Sequence, residues 1–154
     1  MLNVAVSQGT DMGELRLSCG RAAADVAQTL DAIEEHLGAT GTTEAEALQL
    51  RLVAEEIITN IARCAWPEGE PAQFTVEVAS AALAQGVAVR LTTIDNGAPF
   101  DPTAQDPPDM DEPLEMRALG GLGMFLVREM TDRQSYRRAS GQNWFSVERV
   151  FARK

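Results

Sequence analysis

The distribution of apolar and polar side chains predicts five strands along the chain. Each segment either alternates in polarity or forms a short apolar run, and the segments are residues 12–18, 74–80, 87–94, 133–139 and 143–151. Residues 81–86 would connect the second and third strands. Ser140 and Gly141 separate the last two, which is typical of a β-hairpin turn that closes a sheet.

Apolar residues recur with helical spacing in three further segments. Residues 21–37 form the first, and Gly38 follows where a C-cap is expected. The second covers residues 44–64, where Thr43 and Glu46 have the spacing of a capping box. The third directly follows the glycine-rich stretch GGLG.

The order of these elements predicts an α/β (α+β) fold. Because the helices do not alternate with the strands, we expect a two-layer sandwich in which a mixed, mostly antiparallel sheet carries its helices on one face. Residues 101–119 fit no packed element, since four prolines stand there among acidic side chains. A loop of this length is typical of a lid over a binding site or of a disordered segment, and the composition permits both.

Composition narrows the class of protein. A chain of 154 residues with 45% hydrophobic content is long enough for one domain with its own core, so residues 1–154 are predicted to be a single domain. A formal net charge of -10 opposes binding to nucleic acid. Cys19 and Cys64 form no CxxC pair, and the sequence contains neither a secretory signal nor an apolar run long enough for a membrane span. These features predict a cytoplasmic protein without a membrane partner.

Glu56 and Asn60 make the first candidate site. They are four residues apart on the second predicted helix, so they lie on one face at the edge of its apolar stripe. A carboxylate and a carboxamide held together there can act as a general base and as a ligand for Mg²⁺. Such pairs are also common on solvated helix flanks, although Asn is a poor residue for the middle of a helix.

Asp95 and Gly97 make the second candidate site. A predicted strand ends immediately before Asp95, and Gly97 provides flexible backbone just beyond it. A buried carboxylate in this place can accept a hydrogen bond from an exocyclic amino group, while a glycine lets a flat base approach the main chain. The alternative interpretation is a plain Asp-Asn-Gly turn.

The third candidate site is the stretch formed by Gly120, Gly121, Leu122 and Gly123. Its glycines can aim successive N–H groups at one point, and the helix that begins near Leu122 adds the positive end of its dipole. These features favour an anion site suited to phosphates. The stretch lacks the Gly-Lys-Ser/Thr of a P-loop and the preceding strand of a Rossmann turn, and a flexible helix start would show the same pattern.

In this order, the three candidates supply the base, metal, adenine and phosphate contacts of one nucleotide site. The stretches EEIITNIARCAWPEGE, IDNGAPFDP and GGLGMFLVREMTDRQSYRR resemble the boxes of the Bergerat ATP-binding fold, which histidine kinases, DNA gyrase, Hsp90 and MutL share. More closely, the chain resembles the anti-sigma-factor serine/threonine kinases of bacterial partner-switching modules. The resemblance covers nearly the whole chain.

The resemblance implies a role for each candidate residue. Asn60 would be the Mg²⁺ ligand, and Glu56 would be the base that activates the attacking hydroxyl or water. Asp95 would hold the adenine amino group, and Gly97 would lie under the base. The glycine-rich stretch would cradle the phosphates of ATP beneath a lid formed by residues 101–119.

Two positions depart from the family's pattern. Cys64 stands where relatives often have His four residues after the Asn, which affects a contact beside the site or a partner surface. Pro99 stands where many relatives have a second Gly of the Asp-x-Gly-x-Gly pattern, which affects the shape of the adenine pocket.

The resemblance implies an ATP-dependent serine/threonine kinase that phosphorylates a serine on an anti-anti-sigma-like, STAS-type partner protein. It also implies a sigma factor as a further partner and a homodimer as the assembly. The alternative is a nucleotide-gated binding module without transfer activity, in which ATP only orders the lid. The catalytic domain of a histidine kinase is less favoured, because the sequence has no helix pair that carries a phosphoacceptor.

Overall fold

The computed structural model describes residues 4–104 and 121–153 of the chain. Its strands are β1 (Thr10–Gly20), β2 (Gln73–Leu83), β3 (Gly86–Asp95), β4 (Arg133–Ala139) and β5 (Gln142–Ala152). Its helices are α1 (Val4–Gln8), α2 (Ala23–Ala39), α3 (Glu44–Cys64) and α4 (Gly121–Met130), with a 3-10 turn at Pro102–Ala104. The strands form one sheet in the order β1-β2-β3-β5-β4, and each neighbouring pair is antiparallel. The predicted two-layer α/β fold is confirmed.

Helices α2, α3 and α4 contribute their apolar stripes to a single core against the sheet. Fully buried members of this core are Ile33 and Leu37 of α2, Val53 and Ile58 of α3, Val127 of α4, and Val76, Val78 and Val147 of the strands. β3 is buried along most of its length because it is the middle strand of the sheet. Within residues 4–104 and 121–153, no helix is long and apolar enough to cross a membrane.

The capping box predicted at the start of α3 is confirmed. The Glu46 N–H donates to Thr43 Oγ1 at 3.2 Å, and the Thr43 N–H donates to Glu46 Oε1 at 2.9 Å. The Arg153 guanidinium donates to Glu46 Oε2 at 2.6 Å, and this contact lowers the pKa of the Glu46 carboxyl. The start of α3 is therefore tied to the end of β5.

The C-cap predicted at Gly38 is wrong, because α2 continues to Ala39 and has Thr40 as its C-cap residue. Gly41 adopts the left-handed conformation with φ 103°, and the Thr42 N–H and hydroxyl donate to the Leu37 carbonyl at 3.3 and 2.7 Å. A helix end of this kind needs a left-handed residue and donors that close the last turn. Gly41 and Thr42 supply both, so the helix passes through the earlier glycine.

The sheet has two tight hairpin turns, and the sequence predicts one of them correctly. Ser140 and Gly141 have φ values of 54° and 74°, as the predicted two-residue turn between β4 and β5 requires. The connection between β2 and β3 is shorter than predicted. Leu83 pairs with Gly86, so residues 84–85 alone form that turn and most of the predicted loop is strand.

The short helix α1, which the sequence does not predict, lies on the sheet face opposite the other helices. Its Ala5 N–H donates to Glu148 Oε1 at 3.3 Å. Glu148 follows Val147, whose side chain belongs to the helix-covered core, so Glu148 points to the other face. Glu148 is 1% exposed, and burial raises the pKa of its carboxyl.

Candidate functional site

Asp95 forms one end of the candidate site. We call it the base end, after the adenine base that the sequence predicts there. It is the last residue of β3 and is 6% exposed. Its Oδ1 accepts hydrogen bonds from the Gly97 N–H and from Asn143 Nδ2, each at 2.9 Å. Among the described residues, no hydrogen bond reaches Oδ2. Asp95 thus presents one bonded oxygen and one that can accept a further N–H.

Gly97 brings the loop after β3 against the end of α3. A Cβ at Gly97 would overlap the Ala65 carbonyl oxygen, so only glycine allows this approach of two main chains. The Ala98 N–H donates to the same oxygen at 3.0 Å, and Arg138 donates to the Gly97 carbonyl at 2.8 Å. The structure therefore gives Gly97 a packing role that the sequence does not reveal.

Asn143 is a buried polar residue of the base end that sequence analysis misses. It is 5% exposed and stands opposite Asp95 in the pairing of β3 with β5. Besides its bond to Asp95, its Nδ2 donates to the Ala98 carbonyl at 2.9 Å, and the Tyr136 hydroxyl donates to its Oδ1 at 2.6 Å. The sequence offers one signal for this residue, which is a carboxamide at the start of an apolar strand. A buried Asn needs hydrogen-bond partners, so an Asn in such a strand indicates a polar contact within the fold.

Arg21 and Trp66 join the base end to α3, and sequence analysis gives Arg21 no role. Arg21 donates to the carbonyls of Ala62 and Pro67 at 2.8 and 2.9 Å, and its guanidinium lies 5.6 Å from the centre of the Trp66 ring. Trp66 Nε1 donates to Asn96 Oδ1 at 3.0 Å. The end of α3 and the loop after β3 are therefore held as one unit.

The second end of the site, which we call the phosphate end, lies between α3 and α4. A Cβ at Gly123 would overlap Glu56 Oε2, so the carboxylate lies directly against the first turn of α4. Asn60 is one turn further along the same side of α3, and both side chains are half-buried. Among the described residues, no hydrogen bond joins the side chain of Glu56 or of Asn60 to a partner.

The remaining predicted residues of the phosphate end are described only in part. Gly121 and Leu122 begin α4, in the same turn as Gly123. Gly120 and residues 105–119, which make up most of the predicted lid, lie outside the described residues. The lid's first residues, 101–104, contain the 3-10 turn.

α3 connects the two ends of the site. Glu56 and Asn60 lie in its second half, and Ala65, which touches Gly97, follows its last residue. At 1.5 Å per helical residue, roughly 13 Å of helix axis separates Glu56 from Ala65. α3 therefore runs from the contact of Glu56 with Gly123 to the contact of Ala65 with Gly97. That Glu56, Asn60, Asp95, Gly97 and Gly123 belong to one site stays a prediction.

The two positions that depart from the family's pattern lie at the surface. Cys64 is exposed and carries a free thiol, one turn beyond Asn60. Pro99 is exposed and follows Ala98, whose N–H and carbonyl are both bonded within the base end. Pro99 therefore does not prevent the hydrogen bonds that hold Asp95.

Comparison with known protein families decides the class of this fold. Residues 21–148 match the model of the histidine kinase-like ATPase domain, and this range is more than half of the chain. The chain belongs to the histidine kinase-like ATPase family. The family resemblance that the three motifs predict is confirmed.

Two curated relatives of this ATPase-family chain are named as protein kinases. Serine/threonine-protein kinase BtrW of Bordetella bronchiseptica is 33% identical over 98 residues, which are 64% of this chain and 66% of that protein. Serine-protein kinase RsbW of Listeria monocytogenes is 33% identical over 92 residues, which are 56% of each protein. The match spans less than two thirds of either relative's length.

A solved structure has the same fold as this ATPase domain. A chain in the crystal structure of the SiaB–SiaC complex from Pseudomonas aeruginosa superposes with a TM-score of 0.52, over 96% of this chain and 94% of that one. The identity of 19% means that the likeness concerns the fold alone.

Proposed function

We propose that this ATPase-family chain is an ATP-dependent protein serine/threonine kinase. The observation that carries the proposal is the contact between Glu56 and the first turn of α4, where a Cβ at Gly123 would overlap the carboxylate. A helix start can hold phosphate through its N–H groups and dipole, and a hydroxyl that attacks this phosphate must lose its proton nearby. The names of the two curated relatives support the same class of reaction.

In this proposal the base end binds adenine and the phosphate end binds the triphosphate. Asp95 Oδ2 accepts the 6-amino group of adenine, and the Gly97 main chain lies beneath the base. Residues 120–123 donate their N–H groups to the phosphates, beneath the lid of residues 101–119. The side chains of Glu56 and Asn60 then lie beside the phosphate that is transferred.

Asn60 would be the protein's ligand to Mg²⁺. Its carboxamide is half-buried and makes no hydrogen bond to another described residue, so Oδ1 is available for coordination. In the described part of the chain, no three His, Cys, Asp or Glu side chains come together as a metal site. Phosphate oxygens and water would complete the coordination, which is common for Mg²⁺. When bound, the ion would neutralise charge on the phosphate oxygens.

The proposed transfer step uses Glu56 as the general base. Glu56 accepts the proton of a serine hydroxyl, and the hydroxyl oxygen forms a bond to the γ-phosphorus. The bond from the γ-phosphorus to its bridging oxygen breaks, and ADP leaves with that electron pair. The products are phosphoserine, ADP and a protonated Glu56, which returns its proton to water.

The proposed acceptor is a serine on an anti-anti-sigma-like protein of the STAS type. A sigma factor would be the second partner, and the kinase would act as a homodimer in the cytoplasm. These assignments are supported by the resemblance of the three motifs to the anti-sigma-factor kinases. Phosphorylation of the first partner would then control which partner is bound.

Calorimetry with ATP, with and without Mg²⁺, tests the nucleotide site. We expect Mg²⁺-dependent binding by the wild type, and loss of that binding in Asn60→Ala and Asp95→Asn. Wild-type protein that binds no ATP would contradict the proposal.

Labelling with γ-phosphate-labelled ATP tests the transfer. A co-encoded STAS-type protein should be labelled by the wild type, and Glu56→Gln should lower the rate by about 100-fold or more while ATP still binds. Full activity of Glu56→Gln would reject Glu56 as the base. ATP-dependent complex formation without labelling would instead favour the nucleotide-gated binding module.

A further inference from the structure

We propose that Asn143 is a positioning residue for adenine recognition, acting through Asp95. It would hold the Asp95 carboxylate so that Oδ2, and not Oδ1, meets the 6-amino group of the base. The inference rests on the ATP site proposed above and adds a residue from a different strand. Asn143 does not itself contact the base in this arrangement.

The orientation of the Asn143 carboxamide is determined by its partners. The group that lies 2.9 Å from the Ala98 carbonyl must be the amino group, because a main-chain carbonyl only accepts hydrogen bonds. The oxygen then faces the Tyr136 hydroxyl at 2.6 Å, and that hydroxyl donates its proton. A flipped carboxamide would set two oxygens against each other at Ala98 and again at Asp95, so one orientation is strongly favoured.

This fixed carboxamide distinguishes the two oxygens of Asp95. Oδ1 accepts two N–H groups, from Asn143 and from Gly97, each at 2.9 Å. Turning the carboxylate out of its present plane breaks both hydrogen bonds, and a buried donor that loses its partner costs free energy. A half-turn only exchanges two equivalent oxygens, so the position that Oδ2 occupies is kept in either case. Oδ2 has no donor among the described residues and is therefore the oxygen left for a ligand.

The support for Asp95 extends across three neighbouring strands. Asn143 stands directly opposite Asp95 in the register of β3 and β5, and Tyr136 comes from β4 at the edge of the sheet. Asn143 is 5% exposed, and the Tyr136 ring packs against the core. The sheet therefore supplies one of the two donors to Asp95 Oδ1, through Asn143, and the other comes from Gly97, whose loop packs on the end of α3.

The test compares two nucleotides that differ only at the 6-position of the purine. We would measure the dissociation constants of ATP and of purine riboside triphosphate, which lacks the amino group, for the wild type and for Asn143→Ala. The wild type should prefer ATP. In Asn143→Ala, we expect ATP to bind about tenfold more weakly, because a hydrogen bond to a charged group is weakened. The dissociation constant of the analogue should stay within about twofold of its wild-type value.

A second variant keeps the test valid if Asn143→Ala does not fold. Tyr136→Phe removes only the hydroxyl that donates to Asn143 Oδ1, and it should lower the preference for ATP in the same direction but by less, about threefold. The matched control is Ser146→Ala, which removes the 2.8 Å hydrogen bond between Ser146 and Thr92. That bond joins the same two strands on the opposite face, so the control should change stability and leave the preference unchanged.

The outcomes separate this inference from the proposed function. If Asn143→Ala weakens the binding of both nucleotides equally, or of neither, the positioning role is wrong and the proposed ATP site is unaffected. If the wild type binds neither nucleotide, the ATP site itself is wrong and the positioning role falls with it. A loss confined to ATP supports both.

Discussion

The base end and the phosphate end of the candidate site are built in different ways. At the base end, Asp95 is held by hydrogen bonds from a main-chain N–H and from Asn143, and Gly97 lies against the main chain of α3. At the phosphate end, the side chains of Glu56 and Asn60 have no hydrogen bond to another described residue, and Gly123 lies against the end of the Glu56 side chain. One end is fixed by the fold, and the other is lined by side chains that can turn.

The difference matches what each end would have to do. Recognition of a flat base improves when the acceptor is already oriented, because no ordering cost is then paid on binding. A general base must instead approach a hydroxyl, accept its proton and release it, and donors held on both oxygens of a carboxylate would make it a weaker base. Rigid support at one end and side-chain freedom at the other therefore suit one nucleotide site.

Gly97→Ala should have the largest effect, because it breaks the rigid end. The added Cβ would overlap the Ala65 carbonyl oxygen, which cannot move without shifting the end of α3 or the loop after β3. We expect the free energy of unfolding to fall by about 2–4 kcal/mol, as for an overpacked core position, and ATP to bind at least about tenfold more weakly. Urea unfolding and calorimetry measure the two quantities.

Gly38→Ala is the control for this change. Gly38 lies inside α2 with nothing within 4 Å of an added Cβ, so alanine should raise the free energy of unfolding by about 0.5–1 kcal/mol. If Gly97→Ala behaves like Gly38→Ala, the close approach of the two main chains is not what holds the base end.

Gly123→Ala should break the phosphate end without breaking the fold. Its Cβ would meet the terminal oxygen of Glu56, and that flexible side chain can move away. We expect the free energy of unfolding to change by less than about 1 kcal/mol. Phosphoryl transfer should fall by about 10- to 100-fold, because the general base is displaced.

Labelling of the partner protein and urea unfolding on the same preparation check both parts of this expectation. Two results would contradict it. Transfer at the wild-type rate would mean that Glu56 is not positioned by this contact, and a loss of stability as large as that of Gly97→Ala would mean that both ends are equally rigid.

Arg21→Ala should weaken the link between the base end and α3. The change removes hydrogen bonds to the Ala62 and Pro67 carbonyls and the contact with the Trp66 ring. We expect a loss of about 1–2 kcal/mol in the free energy of unfolding and about a threefold loss in ATP affinity, with transfer at saturating ATP unchanged. Arg63, exposed in the last turn of α3, is the control, and an equal effect of Arg63→Ala would show that charge alone is responsible.

The two ends also differ in how far the sequence predicts them. Glu56 and Asn60 are visible because helical spacing alone places them on one face, and the start of α3 follows from its capping box. Gly123 is visible as part of a glycine-rich helix start. The contact of Gly123 with Glu56 is not, because it depends on how α3 and α4 pack together.

At the base end, Asp95 and Gly97 are visible from the strand end and the turn that follows. Asn143 and Arg21 are not, because each acts on residues more than forty positions away along the chain, through strand register or a loop. The missed cap of α2 and the missed α1 have a similar cause. In the sequence alone, nothing distinguishes Gly41 from Gly38 as the residue that ends α2. Helix α1 is too short to show a helical period, and it contacts β2 and β3, which are distant in sequence, as well as β1.

Glu148→Gln changes a residue outside both ends of the site, and we expect it to change stability the least. Glu148 lies under α1 on the opposite face, where the main-chain N–H groups of Ala5 and Val6 act on its carboxylate and that of Ala5 donates to Oε1. Among the described residues, Oε2 has no hydrogen-bond partner, and the charged groups that face the carboxylate from the neighbouring strands are Arg90 and Arg133. Burial raises the pKa of this carboxyl above its ordinary value of 4.5. The folded state therefore holds the proton more tightly than the unfolded state does.

The sign of the pH dependence follows from that difference. The contribution of Glu148 to stability is fully present below pH 4.5 and is lost as the pH rises through the higher pKa of the folded state. A glutamine cannot ionise and still offers an oxygen to the Ala5 N–H. Glu148→Gln should thus raise the unfolding temperature by roughly 1–3 °C at pH 8 and leave it unchanged at pH 4, with ATP affinity the same as in the wild type at pH 8. Thermal unfolding at the two pH values checks this, and a gain at pH 4 would mean that the effect comes from packing rather than from the charge.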